Sequence, residues 1–435
     1  MITRVNAFIK QVFYLFIKGF NVGGKLFFAT IFAQLVSFSA YPIIARIYEV
    51  EMFAVYSLFI SVVTVISCFA TAKYSWAILL PDDEESINGL VFLSIAVAAL
   101  CSAVVVCLIL LFYFNNKFSL ANISFASLLP FLFLFPFYPF IYGVQEVHRS
   151  LMVIRKKIAE LSQFVVFSAI LTVLLQILLA YIFPEGNGLI VGVFLSGLLS
   201  VFYAFWQYKK YQLLSFRSLS KKIVRKIAKK YIEFPLITTP IMLSNYFFFL
   251  LTLSLVASNY GTFILGMFSM AYKLIQLPFS LVEKSMSDIL CRKISHTLNT
   301  NNRDVLRIYV LVVVGLLVVS LIAIMAIYYL SPVVIPILLG DKWLEVVNMV
   351  RSIIFPLALT IIVINMVMLF PMVHKKQYLF LPFKLMLDSI LPILLFFFAS
   401  ENIYDTLSSF AIISSLFSIV LIVVIYFWLL RIYKI

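Results

Sequence analysis

The sequence predicts an all-α, polytopic membrane protein of about twelve transmembrane helices arranged as two six-helix lobes. Three observations predict it. Hydrophobic residues make up 64% and charged residues 12% of the 435 positions, with a mean hydropathy of +1.11; soluble domains carry roughly twice that charged fraction. Apolar runs long enough to cross a bilayer as helices recur along the chain. Near the midpoint, the stretch from Lys209 to Lys230 holds nine Lys/Arg and no acid between two long apolar halves. A basic amphipathic segment in that position reads as a cytoplasmic connector lying on an anionic leaflet. A nucleic-acid-binding element would need a soluble core of its own, which the flanks do not supply, so no nucleic-acid partner is expected.

In chain order the predicted spans are 23–45, 52–79, 88–114, 122–145, 158–183 and 188–208, then 233–257, 260–282, 306–330, 346–371, 377–399 and 406–430. They divide the chain into an N-terminal lobe (1–208), a basic connector (209–232) and a C-terminal lobe (233–435). Met1 to Lys18 mixes Lys10 and Lys18 into an apolar pattern with no Ala-x-Ala site, so it reads as an interfacial helix rather than a signal peptide. Span 122–145 is crowded with Pro130, Pro136 and Pro139; a break there would change the count to eleven or thirteen. Glu185 to Gly188 and Ser258 to Gly261 are turn chemistry between antiparallel neighbours. The Gly340–Trp343 region has room for one short interfacial helix.

Charge sets the orientation. With the amino terminus inside, twenty-six Lys/Arg fall on cytoplasmic segments and four (Arg46, Lys117, Lys342, Arg351) on the outer side. That bias puts both termini in the cytoplasm and supports an even number of spans. The acidic run Asp82 to Glu85 is also inside, without conflict, because acids contribute little to topology. A faint repeat fits two parallel halves: Tyr56-Ser57-Leu58 matches Phe268-Ser269-Met270, and Val147-His148-Arg149 matches Val373-His374-Lys375.

The sequence has no ATP-binding loop motif, and His148, His296 and His374 fall in cytoplasmic loops away from ligand spacing. The four cysteines show no metal spacing either. Neither metal nor cofactor is expected, and no loop is large enough for a catalytic domain, so the chain reads as a non-enzyme. The informative residues are ionisable groups in or at the ends of spans, where lipid makes charge expensive. Lys73 and Lys273 lie within spans with no obvious acid on the same helical turn and read as anion-facing. Lys25 and Arg46 sit near the two ends of the first span, where snorkelling competes with a cavity role and Arg46 can pair with Glu49. Lys384 and Asp388 share a helix face and can neutralise each other, yet Asp388 is also the best candidate for a protonatable or cation-binding carboxylate. Gln34, Asn245, Gln276 and Asn365 are mid-span polar groups able to face a hydroxyl-rich substrate; helix–helix hydrogen bonding explains any one of them equally well.

The run from Gly24 through Gln34 to Pro42, Arg46 and Tyr48, followed by Phe53-Ala-Val-Tyr56-Ser57 and Ala72-Lys73-Tyr74, resembles the opening of the polysaccharide-biosynthesis flippases. These are the Wzx-type lipid-linked oligosaccharide translocases of the multidrug/oligosaccharidyl-lipid/polysaccharide (MOP) exporter superfamily, whose fold is MATE-like. Tyr272-Lys273-Leu-Ile-Gln276-Leu-Pro278 and Gly340-Asp-Lys-Trp343 resemble later segments of the same family. The family usually has an aromatic or acidic residue where this chain has Ser75-Trp76. The resemblance implies a bacterial inner-membrane protein that flips an undecaprenyl-diphosphate-linked oligosaccharide, O-antigen by preference, by alternating access without ATP. It implies a diphosphate cavity lined by Lys73, Lys273, Arg46 and Lys25, proton or sodium coupling through Asp388, and a polysaccharide polymerase and chain-length regulator as partners, beside the anionic membrane lipids that the basic connector is expected to meet. Two rivals stand beside it: a multidrug or cation antiporter of related fold, which predicts an acid-rich cavity where intramembrane basic residues outnumber acids here, and a membrane polymerase or scaffold.

Overall fold

The computed structural model describes residues 2–114, 127–183, 187–213, 220–300, 302–374, 376 and 379–433. The features expected at Lys117, Glu185, Gly186, Arg217, Lys375 and Lys434 lie outside these residues. Every regular element among the described residues is helical. The helices are α1 (Ile2–Ile47), α2 (Val50–Ser67), α3 (Tyr74–Ala77), α4 (Glu84–Phe114), α5 (Phe137–Ile154), α6 (Ile158–Ile182) and α7 (Gly188–Lys210). They continue with α8 (Lys221–Lys230), α9 (Thr239–Thr300), α10 (Asn302–Leu339), α11 (Glu345–Ala358), α12 (Leu381–Phe397) and α13 (Ile403–Tyr433).

Nine helical stretches among the described residues are long and apolar enough to cross a membrane, by length and composition. The difference from twelve has three physical sources. Helix α5 is diluted by Glu146, His148 and Arg149, and α12 is only 17 residues long and carries Lys384 and Asp388. The stretch Met242–Ser280 joins two expected spans in one helix, α9, interrupted at Gly261, whose φ of 85° is non-helical. The expected turn at Ser258 to Gly261 is therefore a break at Gly261, a position where glycine meets no steric penalty.

The chain divides into two compact units, Gly23–Gly266 and a second formed by Met267–Ile435 with Met1–Val22. In the first, α6 and α7 form a hairpin with a polar seam. Ser168 Oγ meets Ser200 Oγ at 2.9 Å, Thr172 Oγ1 donates to Ser196 Oγ at 2.9 Å, and Gln176 Nε2 donates to the Leu189 carbonyl at 3.3 Å. Small residues let the two backbones approach: a Cβ on Gly192 would lie 2.9 Å from the Gln176 backbone nitrogen. The core of this unit is built from Ile78, Leu90, Val91, Val144, Val147, Leu151, Leu161, Ala204 and Tyr208.

Two expected spans are broken. Prolines 130 and 136 turn 122–145 into a 3-10 turn, Leu129–Leu134, followed by α5. Span 52–79 ends as an α-helix at Ser67 and passes through left-handed Ala72 (φ 44°) and Lys73 (φ 58°) before α3. The connector also differs from a helix that merely lies on lipid. In α8 the six cations at 221, 222, 225, 226, 229 and 230 are exposed, but Ile227 and Tyr231 are buried in the core of the first unit. Ser220 caps it by accepting from the Ile223 amide.

In the second unit, α11 packs on α10 and α13, and Tyr309 donates to the Ile422 carbonyl at 2.6 Å. After α11 the chain widens into a π-turn, Leu359–Ile364. Trp343, in the turn opened by Gly340 (φ 92°), is fully buried. The exposed apolar side chains repeat at helical spacing along single faces: Leu100, Val104, Leu108 and Leu111 on α4, and Val310, Val314 and Val318 on α10. Such faces are what lipid covers.

Candidate functional site

The break after α2 sets up a dense polar cluster in the first unit. Past Cys68 the chain leaves the regular helix for a series of turns, with the Ala72 amide donating to Phe69 O and the Tyr74 amide to Thr71 O. Two consecutive non-glycine residues at positive φ cost roughly 1–3 kcal/mol each, and such strain persists only where the surroundings impose it. What imposes it is Glu146 on α5. Its Oε1 accepts from Lys73 Nζ at 2.8 Å and Trp76 Nε1 at 3.0 Å; its Oε2 accepts from Thr71 Oγ1 at 2.8 Å and Ser75 Oγ at 2.9 Å. Thr71 and Ser75 hydroxyls also meet each other at 2.9 Å. Lys73 is 2% exposed and Ser75 is fully buried. The ammonium lies 5.4 Å from the Trp76 ring centre and 5.8 Å from that of Tyr142, within cation–π range.

Lys73 thus has a carboxylate partner seventy-three positions away, where the sequence showed none on its own helical turn. Glu146 was missed because the span was expected to end at 145. The signal that finds it is the apolar periodicity of Val144, Val147 and Leu151, all fully buried, which carries α5 on to Ile154. The same continuation corrects His148. It is not in a loop but fully buried in α5, its ring 4.4 Å from Phe164 and 5.3 Å from Tyr208.

The other expected residues fall as follows. Lys25 and Arg46 are exposed on α1. Twenty-one residues of helix separate them by roughly 30 Å, so one diphosphate cannot touch both. Gln34 and Asn245 are half-buried in the first unit. In the second unit Lys273 is half-buried, Gln276 is exposed, and Asn365 Nδ2 donates to Glu283 Oε1 at 3.1 Å. Glu283 is a second carboxylate that sequence reasoning passed over. Lys384 and Asp388 form an ion pair within α12. Lys73 and Lys384 each therefore have a carboxylate partner, so acids stand beside bases among the ionisable groups of these helices. Among the described residues no group of His, Cys, Asp and Glu is close enough to hold a metal ion.

The cluster and the helices that carry it are tied to their neighbours. Arg155, after α5, pairs with Glu84 at the start of α4. The Tyr74 hydroxyl donates to the Ala228 carbonyl of α8 at 3.2 Å. Gly143, one turn before Glu146, sits so close to α4 that an added Cβ would be 2.6 Å from Ala98 Cβ and 3.4 Å from Thr71 Cγ2.

A family model described as polysaccharide biosynthesis protein matches residues 43–348, well over half of the chain. No curated protein sequence matches it. Among solved structures, an inward-facing multidrug resistance MATE family transporter of the MOP superfamily aligns with a TM-score of 0.74 at 14% identity, covering 92% of this chain and 96% of that one. A MOP superfamily transporter from Pyrococcus furiosus, described by the reverse polarity of its binding pocket, aligns at 0.66 with 14% identity and 94% of each chain. A Vibrio cholerae MATE transporter mutant aligns at 0.60 with 14% identity, over 97% of this chain and 98% of that one. At this identity the likeness shows the fold, which is that of the MOP/MATE transporters, a multi-pass membrane architecture.

Proposed function

The chain belongs to the polysaccharide biosynthesis protein family, and on that footing we propose that it carries an undecaprenyl-diphosphate-linked oligosaccharide from the cytoplasmic to the outer leaflet of a bacterial inner membrane by alternating access. Family membership is the observation that carries this reading. In it, twelve crossings form two six-helix lobes, 1–208 and 233–435, with both termini in the cytoplasm and the basic connector 209–232 between them. Lys73 and Lys273 are the diphosphate-facing groups, Gln34, Asn245, Gln276 and Asn365 face the glycan, and Asp388 couples transport to protons or sodium. O-antigen is the preferred glycan; a polymerase and a chain-length regulator are its functional partners.

A second reading, export of cationic drugs by antiport, has a specific observation in its favour. The reported solved structures include multidrug transporters, and each unit holds a carboxylate of the kind a cationic cargo needs: Glu146 in the first, Glu283 and Asp388 in the second. The solved structures support this reading more directly than they support the glycan.

One experiment separates them. In cells deleted for the chain and complemented with wild type, Lys73→Ala or Lys273→Ala, surface glycan and drug susceptibility are measured at matched protein levels. The glycan reading expects loss of surface glycan in the deletion and a deficit in both variants. Unchanged glycan together with raised drug susceptibility in the deletion transfers the function to the antiporter.

A further inference from the structure

The four donors around Glu146 come from six consecutive residues, Thr71 to Trp76, which contain no acid. One donor is cationic and three are neutral, and they converge on a single point. That set suits any oxyanion, a phosphate oxygen as well as a carboxylate. The backbone is held left-handed at Ala72 and Lys73 to present it. Lys73 is buried, yet the two rings that flank its ammonium, Trp76 and Tyr142, are 40% and 36% exposed. The cup therefore has a closed floor and an aromatic rim that opens outward. It lies at the middle of α5, about 13 Å along the helix from the Glu84–Arg155 pair, and Tyr74 within the segment bonds to the basic helix α8.

We infer that segment 71–76 is an oxyanion receptor whose resident anion is the Glu146 carboxylate, and that a phosphate of the cargo exchanges with it. The inference rests on the glycan reading only for the source of the phosphate. Because Glu146 is tethered, its effective concentration at the cup is far above that of free phosphate. Loose phosphate is kept out, and only an anion that brings further contacts displaces the carboxylate. Return of Glu146 then expels the phosphate when those contacts are lost.

The test uses the full chain in phosphatidylcholine nanodiscs, with thermal unfolding followed against pyrophosphate. Wild type is expected to show little response. Glu146→Ala is expected to be stabilised at concentrations at least about tenfold lower than any wild-type response, as loss of a tethered competitor requires, and the double variant K73A/E146A to lose that gain. Glu146→Gln, which keeps the shape and removes the charge, is expected to follow Glu146→Ala more weakly and carries the test if the alanine variant does not fold. If the single variants respond no better than K73A/E146A, the cluster is a structural staple and the receptor is refuted. Stabilisation of the single variants by phosphatidylglycerol nanodiscs but not by pyrophosphate overturns the cargo as the source, in favour of a lipid headgroup. A pyrophosphate gain in Glu146→Ala, alongside normal surface glycan in cells lacking the chain, upholds the receptor and removes the glycan reading.

Discussion

Gly143→Ala tests whether the position of α5 is what holds the Glu146 cluster together. The added Cβ would stand 2.6 Å from Ala98 Cβ. A Cβ is fixed to its backbone and cannot swing aside, so α4 and α5 must separate by about 1 Å to restore an ordinary carbon–carbon contact. Overpacking of this kind costs about 1–3 kcal/mol. The displaced helix carries Glu146 one turn further on, and bonds of 2.8–3.0 Å to four donors lengthen together. The assay is thermal unfolding of the purified chain in detergent, with the Trp76 environment followed in parallel as the fluorescence difference from a Trp76→Phe control. Ala98→Gly removes the obstructing methyl, at about 1 kcal/mol of helix propensity. The double variant is expected to recover more stability than the glycine at 98 loses. A melting temperature for Gly143→Ala equal to wild type, or no rescue by Ala98→Gly, would refute the close approach and the role given to it.

Three further outcomes are expected. Lys73→Ala strands the Glu146 carboxylate and should lower stability by about 3–5 kcal/mol, most of it returned when Glu146 is also replaced by Ala; equal losses in single and double variants would remove the ion pair as organiser. Gly192→Ala drives a Cβ to 2.9 Å from the Gln176 backbone nitrogen and should cost about 1–3 kcal/mol, whereas Gly315→Ala meets nothing within 4 Å and should be neutral or gain up to about 1 kcal/mol in the same melts. Asp83 accepts from the Ser86 amide at 2.8 Å at the start of α4, and its hydrogen bonds with Ser86 hold its carboxyl below the usual range. Its contribution is therefore complete above the unfolded carboxylate value near about pH 4 and is lost as pH falls through the lower folded value. Asp83→Ala should lower stability by about 0.5–2 kcal/mol at neutral pH and leave the acid limb flatter.

Much of the fold was legible because its signals are local. Apolar length marked the spans, Pro130 and Pro136 marked the break before α5, and Gly261 marked the interruption of α9. The spacing of Lys384 and Asp388 already contained their ion pair. The break after α2 was not legible: Cys68 to Lys73 contains neither Gly nor Pro, and its left-handed residues are imposed by a carboxylate on another helix. The amphipathic pattern of α8 was visible, but not that its apolar face meets protein, with Tyr74 bonded to Ala228. Expected site residues fared by the same rule. Lys73 stood out as a buried charge, while Thr71, Ser75 and Glu146 acquire meaning only in three dimensions.

The distance along the chain between Lys73 and Glu146 also bears on how the protein is made. The two are separated by seventy-three residues. At about 5–20 residues per second, the lysine enters the insertion machinery roughly 4–15 s before its counter-charge is synthesised. Throughout that interval its segment is a hydrophobic stretch with one cation whose carboxylate has not yet been made, and only a long side chain can carry such a charge toward water. The bonds to Glu146 that hold the turn at Ala72 and Lys73 can be made only after α5 has been synthesised, so the geometry of an early segment depends on a residue the ribosome has yet to reach.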